Sequence, residues 1–347
     1  MKDLQDQFDK CITELAASAE TEAELEAIAA SAPEMINEIL DTLPQTMLES
    51  IKRDAYHGGL DELRQRHLDF NSRNYKRWQE GFDALELLIH ICTESGGQFN
   101  NRLRPAAAES KDLVFDTLTR LHAKGCLVAK EIACLLINGF ADGAHSRWRA
   151  LHEITVTSKF LAENGTDTVE RYIAHEFVDS YKGALQHKTY ESRLQAAAPS
   201  DETIASLKAR YEEAIAHYGR DFSNSYGWAE YALGKQRANF ADIEKAVGLE
   251  HLRPYYKWAS QNVHASAKTI SFSLGMTETS EDVLLVGSSD SGMTDPAHSM
   301  AISLSQLTVN LFTISPNLDN TVTMKIILAL ADEVGALFLK AQKQGHG

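Results

Sequence analysis

Chain breakers are scarce in this sequence. Seven prolines are spread over 347 residues, and long stretches carry no Gly-Pro or Asn-Gly pair. A chain so poor in turn signals is expected to build long helices rather than many short strands. The apolar spacing agrees, with Leu63, Phe70, Phe82, Leu85 and Leu88 in one stretch near helical period. Leu113, Leu118, Leu121, Leu127, Ile132, Leu136 and Ile137 repeat that spacing in the next. The expected fold is all-α: a multi-helix bundle with long antiparallel helices and an acidic helical N-terminal appendage.

Local signals place the boundaries. Thr21 followed by Glu24 reads as a capping box. Pro33 and Pro44 are expected to break the N-terminal helices, and Gly96-Gly97 with Pro105 to end the helix that begins near Leu60. A second long helix is expected over Asp112–Phe140, a tight reversal over Asn138–Gly143, and a third helix from about Ala144 to Asn164-Gly165. Thr166–Tyr190 and Asp201–Tyr218 read as helices, and Gly219–Leu249 as loop-rich with short helical pieces. Pro254 opens a helix expected to reach about Leu274. Val283–Gly292 is the only stretch expected to be extended or irregular. Asp295-Pro296 then reads as an N-cap and first turn, and a last helix runs from after Ser315-Pro316 to about Lys343.

The formal net charge is −15. Residues 1–50 hold twelve Asp/Glu and two Lys, a net of −10, which leaves only −5 for the other 297 residues. Residues 1–55 are therefore read as a separate acidic appendage and residues 56–347 as the bundle. An acidic balance disfavours nonspecific nucleic-acid binding, but a nearly neutral body can still hold a local basic cleft. No apolar run reaches the roughly 20 residues of a membrane span, and MKDLQDQFDK has no secretory apolar core. Cys11, Cys92, Cys126 and Cys134 form no CxxC pair, so no zinc site or disulfide framework is expected, and a reducing cytosol is the natural compartment.

One helix carries unusual polarity. In AHSRWRALHEI (144–154), Ala144, Trp148, Leu151 and Ile154 cover one broad side, while His145, Arg149, His152 and Glu153 share an arc of about 100°. Val156 and Phe160 fall in that same arc, so the helix is apolar nearly all round and is expected to be central. Arg149 and Glu153, four residues apart, can pair. Arg147 projects into the apolar side and must meet an acid or a ligand from elsewhere. Such a quartet reads either as an internal salt-bridge network or as a polar site within the bundle. In the Pro254 helix, Lys257, Ser260, His264 and Ser271 flank an apolar stripe of Tyr256, Ala259, Val263, Ala267 and Ile270. Arg171, His175, Asp179 and Lys182 line one side of the Thr166–Tyr190 helix, as a solvated face would.

Several chemistries find no motif. There is no Glu-x-x-His pair on two helices for a di-metal site, no zincin second histidine after His152-Glu153 or His175-Glu176, and no phosphate loop or nucleophile elbow. No metal or cofactor is expected. Ser260 and His264 form an i,i+4 pair without an acid partner. The segment from Arg64 to Trp78 interleaves bases with aromatics, as a nucleic-acid surface or a solvated helix would.

Four segments, INGFADGAHSRWRALHE (137–153), RYIAHE (171–176), YYKWASQNVHAS (255–266) and GSSDSGMTDP (287–296), together resemble a bacterial family catalogued as domain of unknown function 5677. The likeness spans about residues 110–340, implies a helical bundle and brings no assigned catalytic residues. A more distant likeness is to the HEPN superfamily, helical bundles of which many are metal-independent ribonucleases in toxin and phage-defence systems. Their signature is an Arg followed a few residues later by a His, acting across a dimer. Arg147 and His152 fit Arg-x4-His, and Lys257-x6-His264 would be a second copy with Lys in place of Arg. That likeness implies action on RNA or a nucleotide by a homodimer. Arg147, His152 and His264 would be catalytic, with His145, Arg149, Glu153, Lys257 and Ser260 holding the substrate. A histidine near its ordinary pKa moves the 2′-OH proton and a planar arginine clamps phosphate. The alternative expectation is a non-catalytic interaction or sensor protein that docks a partner through residues 1–55.

Overall fold

The structure is a computed structural model that describes residues 4–264, 267–279 and 283–345. Its elements are helices, and no strand occurs among the described residues. In chain order they are α1 (Leu4–Ala17), α2 (Glu22–Asp54), α3 (Leu60–Ser110), α4 (Leu113–Ile137), α5 (Ala141–Ala174), α6 (Glu176–Leu194) and α7 (Asp201–Tyr218). The short helices α8 (Gly227–Leu233), α9 (Phe240–Ala246), α10 (Arg253–Val263) and α11 (Ala267–Ser271) follow, and then α12 (Thr294–Thr313) and α13 (Leu318–Gln344). The chain divides into two compact units, Met1–Phe70 and Asn71–Gly347.

In the first unit, the expected capping box starts α2: Thr21 accepts from the Glu24 amide and Glu24 accepts from the Thr21 amide. The expected breaks at Pro33 and Pro44 do not occur, because both prolines lie inside a continuous helix. Each removes one hydrogen bond, to the carbonyl of Ala29 or Leu40. Both of those residues are exposed, so water can satisfy the freed oxygens. A kinked turn over Ala55–Gly59 separates α2 from α3.

In the second unit, α5 packs against α4, α12, α10, α8 and α9. That position follows from a helix with little polar surface to offer water. Trp148 and Leu151 of α5 join Leu118, Ile132 and Leu136 of α4 and Leu304, Leu307 and Leu311 of α12 in one core. Trp78 of α3 stacks on Phe338 of α13, and Phe82 of α3 meets the same ring edge-on. Polar atoms are matched between distant segments: Trp148 Nε1 donates to Ser303 Oγ of α12 at 2.9 Å, and Trp78 Nε1 to the carbonyl of Asp290, in the loop before α12, at 2.9 Å.

Gly96-Gly97 and Pro105 do not end α3 either. Gly96 serves a close approach instead, since a Cβ there would lie 2.2 Å from Cε1 of His122 on α4. Asn164-Gly165 does mark a break: Gly165 takes a left-handed φ of 70° and kinks α5 there. The Pro254 helix stops at Val263, well short of Leu274, and Ala265 and Ser266 lie outside the described residues. Asp295 is not an N-cap, because α12 begins one residue earlier at Thr294 and Met293 precedes it. Val283–Gly292 is irregular and is fixed by the Trp78–Asp290 bond and by the Ser289 amide on the Gly139 carbonyl at 3.0 Å. Among the described residues no helix is long and apolar enough to cross a membrane.

Candidate functional site

The polar arc of α5 meets α9 and α10 in a network of charges. Two local devices set its parts in place. Asn239 caps α9 with a reciprocal Asp242 box, which orients Glu244 one turn on. Pro254 sits in the first turn of α10, directly after Arg253.

His152 Nε2 lies 2.8 Å from Glu244 Oε1, and neither side chain has any exposed surface. Arg253 pairs with the other oxygen of Glu244. A carboxylate removed from water is tolerated only with such partners. Beside it, Arg149 Nε donates to Glu153 Oε1 at 3.0 Å and to the Tyr256 hydroxyl at 2.9 Å. That hydroxyl donates in turn to Glu153 Oε1, and burial together with this bond pushes its pKa well up. The Arg149 and Arg253 guanidinium carbons lie 5.1 and 5.3 Å from the Tyr256 ring centre. Tyr256 also packs its ring 5.7 Å from that of His152. Two arginines, two glutamates, a tyrosine and a histidine therefore form one compensated cluster.

His145 stands apart from it. Its ring is buried, stacked on Trp148 at 5.4 Å and met edge-on by Trp258 at 5.1 Å, and neither nitrogen has a hydrogen-bond partner. Burial lowers its pKa to about 4, against a smaller upward pull from Asp142.

The other expected site residues are dispersed. Arg147 pairs with Glu131 of α4, the acid its position on the helix required, and both side chains keep about a third of their surface in water (34% and 41%). It lies about 140° round the helix from His152. Ser260 Oγ is occupied by the Tyr256 carbonyl at 2.8 Å. Lys257 and His264 are exposed. His264 ends α10 eight residues beyond Tyr256, about 12 Å along the axis. Arg147, His152 and His264 thus point to different surroundings: one to α4, one inward to α9, one to solvent. The His152 ring has no exposed surface, and its Nε2 faces the Glu244 carboxylate.

The sequence pattern singles out neither Glu244 nor Arg253. Glu244 falls in the aperiodic stretch 219–249. Arg253, next to the helix-opening Pro254, carried the one available signal, a charge at the edge of an apolar first turn.

Residues 115–282 match the model of a family described as "Family of unknown function (DUF5677)". This stretch contains the whole cluster from Arg149 to Tyr256 and the separate Arg147–Glu131 pair. It ends before GSSDSGMTDP and before α12 and α13, so the family region is narrower than the motifs alone implied. No curated protein and no solved structure matches the chain.

Proposed function

We propose that the protein is a non-catalytic interaction protein of the cytosol that docks a basic partner protein through α2. One observation carries this reading: neither α1 nor α2 buries a single residue, although α2 is amphipathic over its whole length. At about 100° per residue, Leu25, Ala32, Ile36, Ile39, Leu40, Leu43, Met47 and Ile51 fall within an arc of about 120°. Leu40 and Ile51 keep 63% and 57% of their surface exposed. The acids Glu34, Glu38, Asp41 and Glu49 lie on the other side of the helix. A stripe about 40 Å long from Leu25 to Ile51, left open to water, is the form taken by helix-in-groove and coiled-coil partners.

The charge chooses the occupant. Residues 1–50 carry −10, so a second copy of α2 would be repelled, whereas an amphipathic helix with a lysine- and arginine-rich polar face would be attracted and steered in. The test is fluorescence anisotropy of a labelled Leu/Lys amphipathic peptide titrated with the full chain and with an Ile36→Gln/Leu40→Gln variant, which alters the stripe and leaves the charge intact. Binding weakened about tenfold in the variant supports the proposal. Equal binding refutes it, since charge alone would then account for the affinity.

A second reading, action on RNA or a nucleotide as in HEPN-like ribonucleases, is favoured by the two guanidinium groups beside Tyr256. In that form Arg149 and Arg253 contact the anion, and the sealed His152 is not the base. Total RNA incubated with the full chain and with an Arg149→Gln variant tests it. Equal cleavage by both would remove the assigned residues.

A further inference from the structure

We propose that α13 is the contact between two copies of the chain, crossing its own symmetry mate antiparallel at Ala329. One side of α13 is committed to the core through Ile327, Leu330, Val334 and Phe338. The opposite side is open, with Leu318 exposed by 78% and Val322 by 49%, and Ala329 and Ala336 also exposed. Leu318, Val322, Ala329 and Ala336 fall within about 40° of one another round the helix.

The pattern on this face is self-complementary. A two-fold axis at Ala329 makes each position meet the one equally far on its other side. Lys325 lies four residues before Ala329 and Glu333 four after, so each copy's Lys325 meets the other's Glu333. Neither side chain has a partner among the described residues. Val322, seven residues before, meets Ala336, seven after. Leu318 meets the aliphatic stem of Lys340, whose ammonium is held by Glu80 at 2.6 Å. Ala329 meets itself, and a small residue at the crossing point lets two helices approach to the roughly 8 Å of close packing.

Charge permits this contact where it forbids others. The chain carries −15 overall, yet positions 318–340 hold three acids (Asp319, Asp332, Glu333) and two bases (Lys325, Lys340), a net of −1. The axis also brings those opposite signs together in two equivalent places. This surface lies outside the matched family region, and its argument is independent of the partner proposed for α2.

Sedimentation equilibrium of the full chain over a concentration series tests it. Lys325→Glu and Glu333→Lys, each alone, should weaken the dimer about tenfold or more, because each places two like-charge contacts across the axis. The double exchange Lys325→Glu/Glu333→Lys should restore the wild-type constant, since the reciprocal pairs re-form with reversed polarity. Both positions are exposed, so unchanged far-UV circular dichroism is expected in all three variants. A wild-type chain that remains monomeric throughout would overturn the proposal. So would a dimer indifferent to both single changes, or single-variant losses that the double exchange does not reverse.

Discussion

His152 and Glu244 hold each other at 2.8 Å with no surface of either side chain open to water, and Arg253 completes the group from the first turn of α10. Hydrogen bonds and an ion pair thus join α5, α9 and α10 at one place.

Removal of Glu244 should therefore be severe. In Glu244→Ala, Arg253 and His152 lose their acceptor in a closed site, and the expected cost is about 3 to 5 kcal/mol. Urea unfolding of the two proteins measures it. A loss below about 1 kcal/mol would mean that water enters the cluster.

Arg147 should matter far less. It reaches Glu131, as its place on an apolar side required, but both groups keep about a third of their surface in water. A pair so placed contributes about 1 kcal/mol or less. A double-mutant cycle with Arg147→Met and Glu131→Gln should give a coupling in that range, and a value near 3 kcal/mol would show the pair to be shut from solvent.

His145 makes stability depend on pH in a defined direction. Its folded-state pKa is lowered to about 4 from the ordinary 6.5, so below pH 6.5 the unfolded chain takes up a proton that the folded chain refuses. Stability is then full above about pH 7 and declines as pH falls towards 4, by roughly 3 kcal/mol at most for this group. His122, buried and likewise lowered to about 4, adds a decline of the same sign. His145→Phe keeps the stacking on Trp148 and breaks no hydrogen bond, so it should flatten the profile between pH 7 and 5 in urea titrations. An unchanged slope would place the titration elsewhere.

Periodicity and need were legible in the sequence; partners across space were not. The 3.6-residue repeat of 144–154 marks α5 as central, and the same repeat shows that Arg147 requires an acid. That the acid is Glu131 depends on how α4 and α5 pair. Glu244 was hidden because residues 219–249 have no repeat from which to judge an inward face. The misread breaks have opposite causes. Pro33 and Pro44 are tolerated because the carbonyls they free face water, and Gly96 looks like a breaker but leaves room for the His122 ring.

The central claim is that the acidic, apolar-striped α2 receives a basic helix, and one comparison tests it most directly. The full chain is titrated with two labelled peptides of equal length and leucine spacing, one with lysine and one with glutamate on the polar face, at low and at physiological salt. The account predicts binding of the lysine peptide at both salts, weaker at the higher because screening reaches inside about 8 Å there, and no measurable binding of the glutamate peptide. Equal binding of the two peptides, or loss of all lysine-peptide binding at physiological salt, would contradict it, because either the charge or the apolar stripe would then have no part in recognition.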